Sequence, residues 1–233
     1  MKLRTKNSKP KAITTKRFAD RLKLLLRIFL RAYRGVYKNV VLLLPTEYLK
    51  VTKFKKLRPL RLNVGCGKAK VSGWVNIDIE PGADAVIDVT KGMPFDDRSA
   101  DLIYCEHFLE HLTFEKGEKV LKEFYRCLRI GGVLRIAMPD LDYIIWKYNT
   151  DWKSQEWLSW SGYEFIKTKG QMINVGFRFW GHKYLYNEED LKSQLICAGF
   201  EKIVRCDWSE SSHRDLSGLE TREDSKLIME AMK

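Results

Sequence analysis

The stretch L-N-V-G-C-G at residues 62–67, with G-W-V-N-I-D following at 73–78, decides the fold of this chain. Residues 60–64 form a short apolar run that ends in a glycine, the pattern of a buried strand followed by a tight turn. Residues 75–79 alternate apolar and polar side chains, which predicts a second strand. Glycine at both 65 and 67 lets the main chain approach a ligand closely. We therefore expect a strand, a ligand-binding turn and a second strand in succession.

Strand and helix patterns alternate along the rest of the body. Further strands are predicted over residues 85–89, 101–105, 133–138 and 200–206. One helix is predicted from Thr113 through Leu128, and another from Asn187 as N-cap to Gly199 as C-cap. This alternation is typical of a doubly wound, mostly parallel α/β sheet, in which ligands bind at the carboxyl ends of the strands.

Two aspartates follow the second and third strands. A carboxylate at Asp78 is placed to accept both hydrogen bonds of a ribose diol, and one at Asp88 to meet an adenine amino group. Turn capping explains either residue alone equally well, but their place at successive strand ends after the glycine turn favours a nucleoside ligand. The dinucleotide fingerprint is incomplete because Lys70 stands where its third glycine is required, so an NAD enzyme is disfavoured.

Taken together, these motifs resemble those of the class I S-adenosylmethionine-dependent methyltransferases. The resemblance extends over about residues 60–206 and is nearest to a compact bacterial-type group associated with cell-surface polysaccharide pathways. Besides the two stretches quoted above, the segments that carry it are D-V-T-K-G-M-P-F (88–95), S-A-D-L-I-Y-C-E-H-F-L-E-H-L (99–112) and G-G-V-L-R-I-A-M-P-D (131–140).

The resemblance implies a Rossmann-like enzyme that uses S-adenosyl-L-methionine to methylate an acceptor, such as a saccharide or another small-molecule hydroxyl. It also implies roles for individual residues. The glycine turn would contact the methionine part of the cofactor, the acid after the second strand its ribose, and the residues after the third its adenine. The cofactor-binding residues implied in this way are Gly65, Cys66, Gly67, Asp78, Ile79, Asp88 and Val89, with Cys105 to His107 facing the methyl-transfer centre.

The chain departs from the family pattern in its first half. Only eight residues separate Gly67 from Asn76, and nine separate Asp78 from Asp88. A typical member has a full helix in each gap, so we expect shortened early helices and one thinly covered sheet face. A non-catalytic binding protein on the same fold is a second interpretation, although the intact glycine turn and Asp78 argue against it.

The segment His107–His111 matches H-x-x-E-H, a zinc-peptidase pattern, and on a helix its two histidines would share one face. A metal hydrolase is therefore a third interpretation. No third ligand motif follows, so the sequence predicts no metal. For His107 we predict a catalytic role instead, because a neutral imidazole suits removal of a hydroxyl proton.

The net charge of +12 belongs to the N-terminal arm, residues 1–58, which holds 18 Lys and Arg against two acids. We predict a disordered tail over 1–15, a basic amphipathic helix over 16–40 and then a linker. The helix either packs on the body, lies on an anionic membrane surface, or binds nucleic acid. The first two are favoured, since the basic helix lacks stacking aromatics, and no specific nucleic acid is expected.

The body, residues 59–233, is mildly acidic and includes an aromatic-rich insertion at about 141–182, which forms either a small core of its own or an acceptor site. The five cysteines are odd in number and scattered, which indicates reduced thiols. No apolar run is long enough to span a bilayer. We therefore expect a cytoplasmic protein that is either free or peripheral at the membrane through its arm.

Overall fold

A computed structural model of the chain describes residues 51–233 together with Leu25, Leu26, Phe29 and Ala32. The chain divides into two units, Met1–Leu43 and Leu44–Lys233. In the first unit the four described residues are helical and exposed. The predicted tail over 1–15, and the rest of the helix predicted over 16–40, lie outside the described residues.

The helices among the described residues include none with the length and apolar character needed to cross a bilayer.

Seven strands form one sheet in the order β3-β2-β1-β4-β5-β7-β6. All pairs are parallel except those of β7, which is antiparallel to both β5 and β6. The strand bounds are Arg61–Val64 (β1), Val75–Asp78 (β2), Ala85–Val86 (β3), Ala100–Glu106 (β4), Leu128–Met138 (β5), Lys202–Arg205 (β6) and Leu227–Met232 (β7). Strands β1, β2 and β3 thus extend the sheet from its centre to one edge. Strand β4 then pairs with the other side of β1, and the later strands extend the sheet to the opposite edge.

Four α-helices lie wholly within the described residues 53–233, at Phe114–Cys127 (α1), Leu141–Asn149 (α2), Lys169–Arg178 (α3) and Glu188–Ala198 (α4). The predicted caps of α4 are confirmed: Asn187 accepts a hydrogen bond from the Asp190 amide, and Gly199 is left-handed at φ 112°. Thr113 precedes α1 as predicted, but its side chain makes no capping bond. The predicted α/β class, with a mostly parallel sheet and no full helix in either early gap, is confirmed.

Two features at the ends of the body were not evident in the sequence. Within the predicted arm, Val51 is fully buried in the main core and Phe54 packs against that core. The packed body therefore begins upstream of the predicted start at residue 59. At the other end, the sequence analysis missed β7, a short apolar strand that inserts between β5 and β6.

The two faces of the sheet are covered differently. Because alternate strand residues point to opposite faces, Ile103 and Cys105 of β4 join the main core, into which α1 and α4 also pack. Leu102 and Tyr104 point to the other face and join a small cluster around Trp74, Val133 and Leu216. Among the described residues, the segment 207–225, rather than an α-helix, covers this second face.

A fully buried guanidinium holds that segment in place. Arg135 of β5 lies on the second face, where its Nε is 2.6 Å from Glu220 Oε1 and a terminal nitrogen is 2.7 Å from Glu230 Oε1. The same terminal nitrogen donates to the backbone carbonyl of Glu210 at 2.8 Å. At the sheet's other half, Arg61 of β1 pairs with Asp215 at 2.7 Å. The segment 207–225 is therefore fixed to the sheet mainly by charge-assisted hydrogen bonds.

We predict that Arg135→Met lowers the free energy of unfolding by about 3–5 kcal/mol, because it leaves two buried carboxylates without their cation. Arg129→Met is the matched control, since Arg129 is half exposed and pairs with Asp101 at the surface, where a pair contributes about 0–1 kcal/mol. Chemical denaturation of both variants measures the difference. Equal losses for the two variants would show that the buried cluster does not anchor the segment.

Candidate active site

The glycine turn lies at the topological switch point of the sheet. It follows β1, and β4 is the next strand in the sheet on the other side of the switch, so their carboxyl ends border one crevice. The amides of Gly65 and Cys66 both donate to the Ile77 carbonyl, at 2.8 and 3.1 Å. Gly65 has φ +71°, and a Cβ there would lie 2.5 Å from the Phe108 ring. Only glycine therefore lets the turn close against the end of β4.

Asp78 fastens the turn from the neighbouring strand. Its Oδ2 accepts from the Gly67 amide at 2.8 Å, and its Oδ1 from the Glu80 amide at 2.8 Å. A carboxylate offers about four acceptor positions, so the half-buried Asp78 keeps capacity for a ligand diol. A Cβ on Gly67 would meet no atom within 4 Å, so the space beside the turn is open. The turn, Asp78 and the half-buried Ile79 thus fit the ribose end of S-adenosylmethionine.

Three other predicted cofactor residues have different surroundings. Asp88 caps the short 3₁₀ helix Val89–Lys91, and its Oδ1 accepts from the Thr90 amide and hydroxyl. The side chains of Val89 and Cys105 lie in the main core, where burial raises the pKa of the Cys105 thiol. The Cys105 side chain therefore points away from the crevice face, and the cofactor-binding role of this residue stays a prediction.

Glu106 is the residue that β4 presents to the crevice face, and the sequence analysis gave it no separate role. Its buried carboxylate accepts from the amide and hydroxyl of Thr221 at 2.8 and 2.6 Å, and from the Arg222 amide at 3.0 Å. The Ser225 hydroxyl also lies within 3.3 Å. Glu106 thereby holds the end of the segment 207–225 against the glycine turn.

A narrow cavity of about 10 Å³ remains between the turn and that segment, which is room for about one water molecule. Its walls include Cys66, whose thiol has its pKa raised to about 11 by burial and by the charge of Asp78. Cys66 is therefore a neutral thiol at pH 7. For the methionine end of the cofactor to lie beside Gly65 and Cys66, residues 219–222 have to move away from the turn.

A second, larger cavity of about 180 Å³ lies on the other side of Arg222, which lines both. Three of the four histidines of the chain meet there, together with two tryptophans, one arginine and one aspartate. Its lining consists of His107, His111, His182, Trp160, Trp180, Arg222 and Asp224. The fold thus places the predicted His107 in one cavity with His182, which is distant in sequence. Arg222 and Asp224 also line this cavity, and they belong to a C-terminal segment for which the sequence analysis predicted no function.

The H-x-x-E-H segment has a local structure unlike that of a helical zinc motif. His107 has φ +49°, and a 3₁₀ helix covers only Leu109–His111. The backbone carbonyl of Glu110 accepts from the amides of Lys183 and Tyr184, at 2.7 and 3.2 Å. These bonds place the segment around His182 beside the turn, and the rings of His111 and His182 have centroids 5.2 Å apart.

Burial determines the charge of the groups around His107. Its Nδ1 lies 3.3 Å from Glu110 Oε1, and its Nε2 lies 3.6 Å from Asp224 Oδ1. Burial lowers the pKa of His107 to about 3 and raises that of Glu110 to about 8. Both groups are therefore neutral at pH 7. Burial also lowers the pKa of His111 and His182, so the cavity is lined by three neutral imidazoles, each with one donor and one acceptor nitrogen.

The aromatic insertion supplies both a small core and one wall of the large cavity, so each of its two interpretations fits part of it. Trp157, Met172 and Val175 are buried in a cluster of their own. Trp160 and Trp180, by contrast, are part-exposed and line the cavity.

Residues 62–136 match the family model described as a methyltransferase domain. The fold was also compared with solved structures. A Thermotoga maritima protein described as an S-adenosylmethionine-dependent methyltransferase and possible histamine N-methyltransferase has 15% identity and a TM-score of 0.47, over 88% of this chain and 96% of that one. An Archaeoglobus fulgidus S-adenosylmethionine-dependent methyltransferase has 16% identity and a TM-score of 0.45, over 86% and 94% of the two chains. None of the curated proteins compared with the chain matches it.

We predict that Asp78→Ala weakens binding of S-adenosylhomocysteine by about 1.5–3 kcal/mol, the contribution of hydrogen bonds to a charged group. The substitution removes both the diol acceptor and the anchor of the Gly67 amide. Isothermal titration calorimetry measures the affinity, with Asp96→Ala as control because Asp96 is an exposed carboxylate paired with Lys55. An Asp78→Ala protein that is folded and binds as tightly as the wild type would rule out this role.

Proposed function

We propose that the chain, whose residues 62–136 match a methyltransferase domain, uses S-adenosylmethionine to methylate a small polar acceptor on a hydroxyl, such as a saccharide. The observation that carries the proposal is the 180 Å³ cavity with three neutral imidazoles and two indole rings. Imidazoles bind hydroxyls, and aromatic planes pack against the apolar faces of sugar rings. The cavity shares Arg222 with the cofactor crevice, so an acceptor held there lies next to it.

When bound, S-adenosylmethionine supplies a methyl group on a cationic sulfur and leaves as S-adenosylhomocysteine, keeping the electron pair of the broken S–C bond. The residues proposed to hold it are Gly65, Cys66, Gly67, Asp78 and Ile79. The chain's main contribution is positioning, because an in-line displacement gains most from a fixed approach of the two reactants.

His107 is proposed to accept the hydroxyl proton at Nε2, which lies 3.0 Å from the Ser225 hydroxyl and 3.6 Å from Asp224 Oδ1. An acceptor hydroxyl would take the place of the Ser225 hydroxyl at this nitrogen. Burial lowers the pKa of His107 and keeps the ring unprotonated at neutral pH. The proton need only transfer as the new C–O bond forms, when the hydroxyl becomes strongly acidic.

We expect His107→Ala to lower kcat for hydroxyl acceptors by about 10²–10⁴-fold, the usual contribution of a general base, with the affinity for S-adenosylhomocysteine unchanged. The assay measures release of S-adenosylhomocysteine with a panel of monosaccharides, disaccharides and primary amines. His213→Ala is the matched control, because His213 lines neither cavity.

Three outcomes would contradict parts of this proposal. A wild-type protein that binds no S-adenosylhomocysteine lacks the function altogether, and one that binds it without turnover is the non-catalytic alternative. Turnover confined to amines would show that the acceptor class is wrong. A His107→Ala enzyme with full activity on a hydroxyl acceptor would remove His107 from catalysis.

We further propose that the N-terminal arm holds the enzyme at an anionic membrane surface facing the cytoplasm. The described helical residues Leu25, Leu26 and Phe29 expose 62%, 58% and 66% of their surface, and the arm is strongly cationic. An amphipathic helix with these features binds the headgroup boundary through both its apolar face and its charges. The five cysteines are free thiols, which fits a reducing compartment.

Leu25→Ser combined with Phe29→Ser is expected to weaken binding to anionic vesicles at least tenfold, since each buried apolar side chain contributes about 1.5–3 kcal/mol. Ile130→Ser is the matched control, because Ile130 is an exposed apolar residue of the body. Sedimentation with phosphatidylcholine vesicles, with and without phosphatidylserine, measures binding. A wild-type protein that ignores anionic vesicles at low salt would exclude the membrane and favour the other interpretations of the arm.

A further inference from the structure

A cluster of three possible metal ligands lies at the wall of the large cavity. Glu110, His111 and His182 each offer one ligand atom, and these atoms lie within 4.8 Å of one another. Two imidazole nitrogens and one carboxylate oxygen form a donor set that suits zinc and other divalent transition ions. In sequence, Glu110 and His111 are adjacent, whereas His182 follows 71 positions later with no fixed spacing. The missing third ligand, which led the sequence analysis to predict no metal, is therefore present in the fold.

The carboxyl group of Glu110 lacks the partners that its burial requires. Its side chain is fully buried, and neither oxygen has a hydrogen-bond partner among the described residues. His107 Nδ1 lies 3.3 Å from Oε1 and His111 Nε2 lies 4.0 Å from it, but neither contact has hydrogen-bond geometry. Buried polar groups without partners are rare because desolvation is costly. A cation between Glu110 and its histidine neighbours would supply the missing interaction.

The histidine rings have the orientation that metal binding needs. His182 Nδ1 lies 2.8 Å from the Gly176 carbonyl, and since a carbonyl only accepts, Nδ1 carries the proton. The lone pair is then on Nε2, which is free to bind a metal. A ligating histidine usually has its second nitrogen held in this way by a carbonyl or a carboxylate. The His111 ring lies beside the His182 ring, with the two centroids 5.2 Å apart.

We propose that Glu110, His111 and His182 bind one divalent transition-metal ion of the zinc class, with an open coordination position toward the large cavity. Metal–ligand bonds of about 2.0–2.1 Å require ligand atoms closer together than those found here. Binding therefore draws the three side chains together by about 1 Å, a shift within the reach of side-chain rotation. Three protein ligands leave a position for water or substrate, as in zinc sites that take part in catalysis.

The open position gives the site a role in the proposed function, on which this part of the inference rests. An acceptor hydroxyl bound there would become more acidic, as water does on zinc, where its pKa falls from 15.7 to about 7. Its proton would then pass to His107 more easily.

The test is a titration of the untagged, full-length, chelator-treated protein with Co²⁺ and then with Zn²⁺, in the absence of cofactor and acceptor. We expect one ion per chain, a visible Co²⁺ d–d spectrum typical of four or five ligands, and displacement of Co²⁺ by Zn²⁺. His182→Ala and Glu110→Gln should each weaken binding about 100-fold or more, beyond the usual 10–100-fold loss for a residue that only supports a ligand. His213→Ala, which removes a histidine that belongs to neither the cluster nor the large cavity, should leave binding unchanged.

Thermal unfolding shows whether the variants still fold. Zn²⁺ should raise the Tm of the wild type and of His213→Ala but not that of His182→Ala. If Glu110→Gln unfolds, His111→Gln replaces it as the second variant. The proposal is overturned if the wild type binds neither ion at one per chain, or if His213→Ala weakens binding as much as His182→Ala. Binding of S-adenosylhomocysteine, measured separately on the same protein, distinguishes failure of the metal site from failure of the methyltransferase function.

Discussion

The buried guanidinium of Arg135 is the interaction on which the rest of the structure depends. A charge removed from water has to be matched by its surroundings, and here two carboxylates and a backbone carbonyl match it. Two of these partners, Glu220 and the carbonyl of Glu210, belong to the segment 207–225. The neutralisation of one charge therefore determines the path of a segment that contains little regular structure. Among the described residues, the segment 207–225 covers the second face of the sheet, where the short connections after β1 and β2 provide no helix.

That path connects the fold to the site. The residues just beyond Glu220 bond to Glu106 at the carboxyl end of β4, and the next few supply Arg222 and Asp224 to the large cavity. The β1 turn and the β4 end contribute the rest of the crevice because the switch point places them side by side. The two cavities thus have a common wall, which is anchored by an ion cluster on the second face of the sheet.

Local signals predicted local structure well. The glycine turn, the place of Asp78 and the caps of α4 were all evident in the sequence, because each depends on residues a few positions apart. The side-chain direction at the end of β4 was not, since Cys105 and Glu106 exchange faces if the strand register shifts by one residue. The ion cluster joins residues 85 and 95 positions apart, and His182 meets His111 across a similar distance. Charge pairs and histidine clusters of this kind have no periodicity, so only the folded chain reveals them.

The closed crevice beside Gly65 and Cys66 has a consequence for kinetics. Residues 219–222 lie against Gly65 and Cys66, where the proposed function puts the methionine end of the cofactor. Arg222 and Asp224 line the large cavity. Under that proposal, a cofactor that enters displaces this segment, and the displacement opens one wall of the proposed acceptor cavity. The cavity is complete again only when the segment returns over the bound cofactor. The proposed function therefore implies a compulsory order of addition, cofactor first and acceptor second, with opening of the segment repeated in every turnover before the spent cofactor leaves.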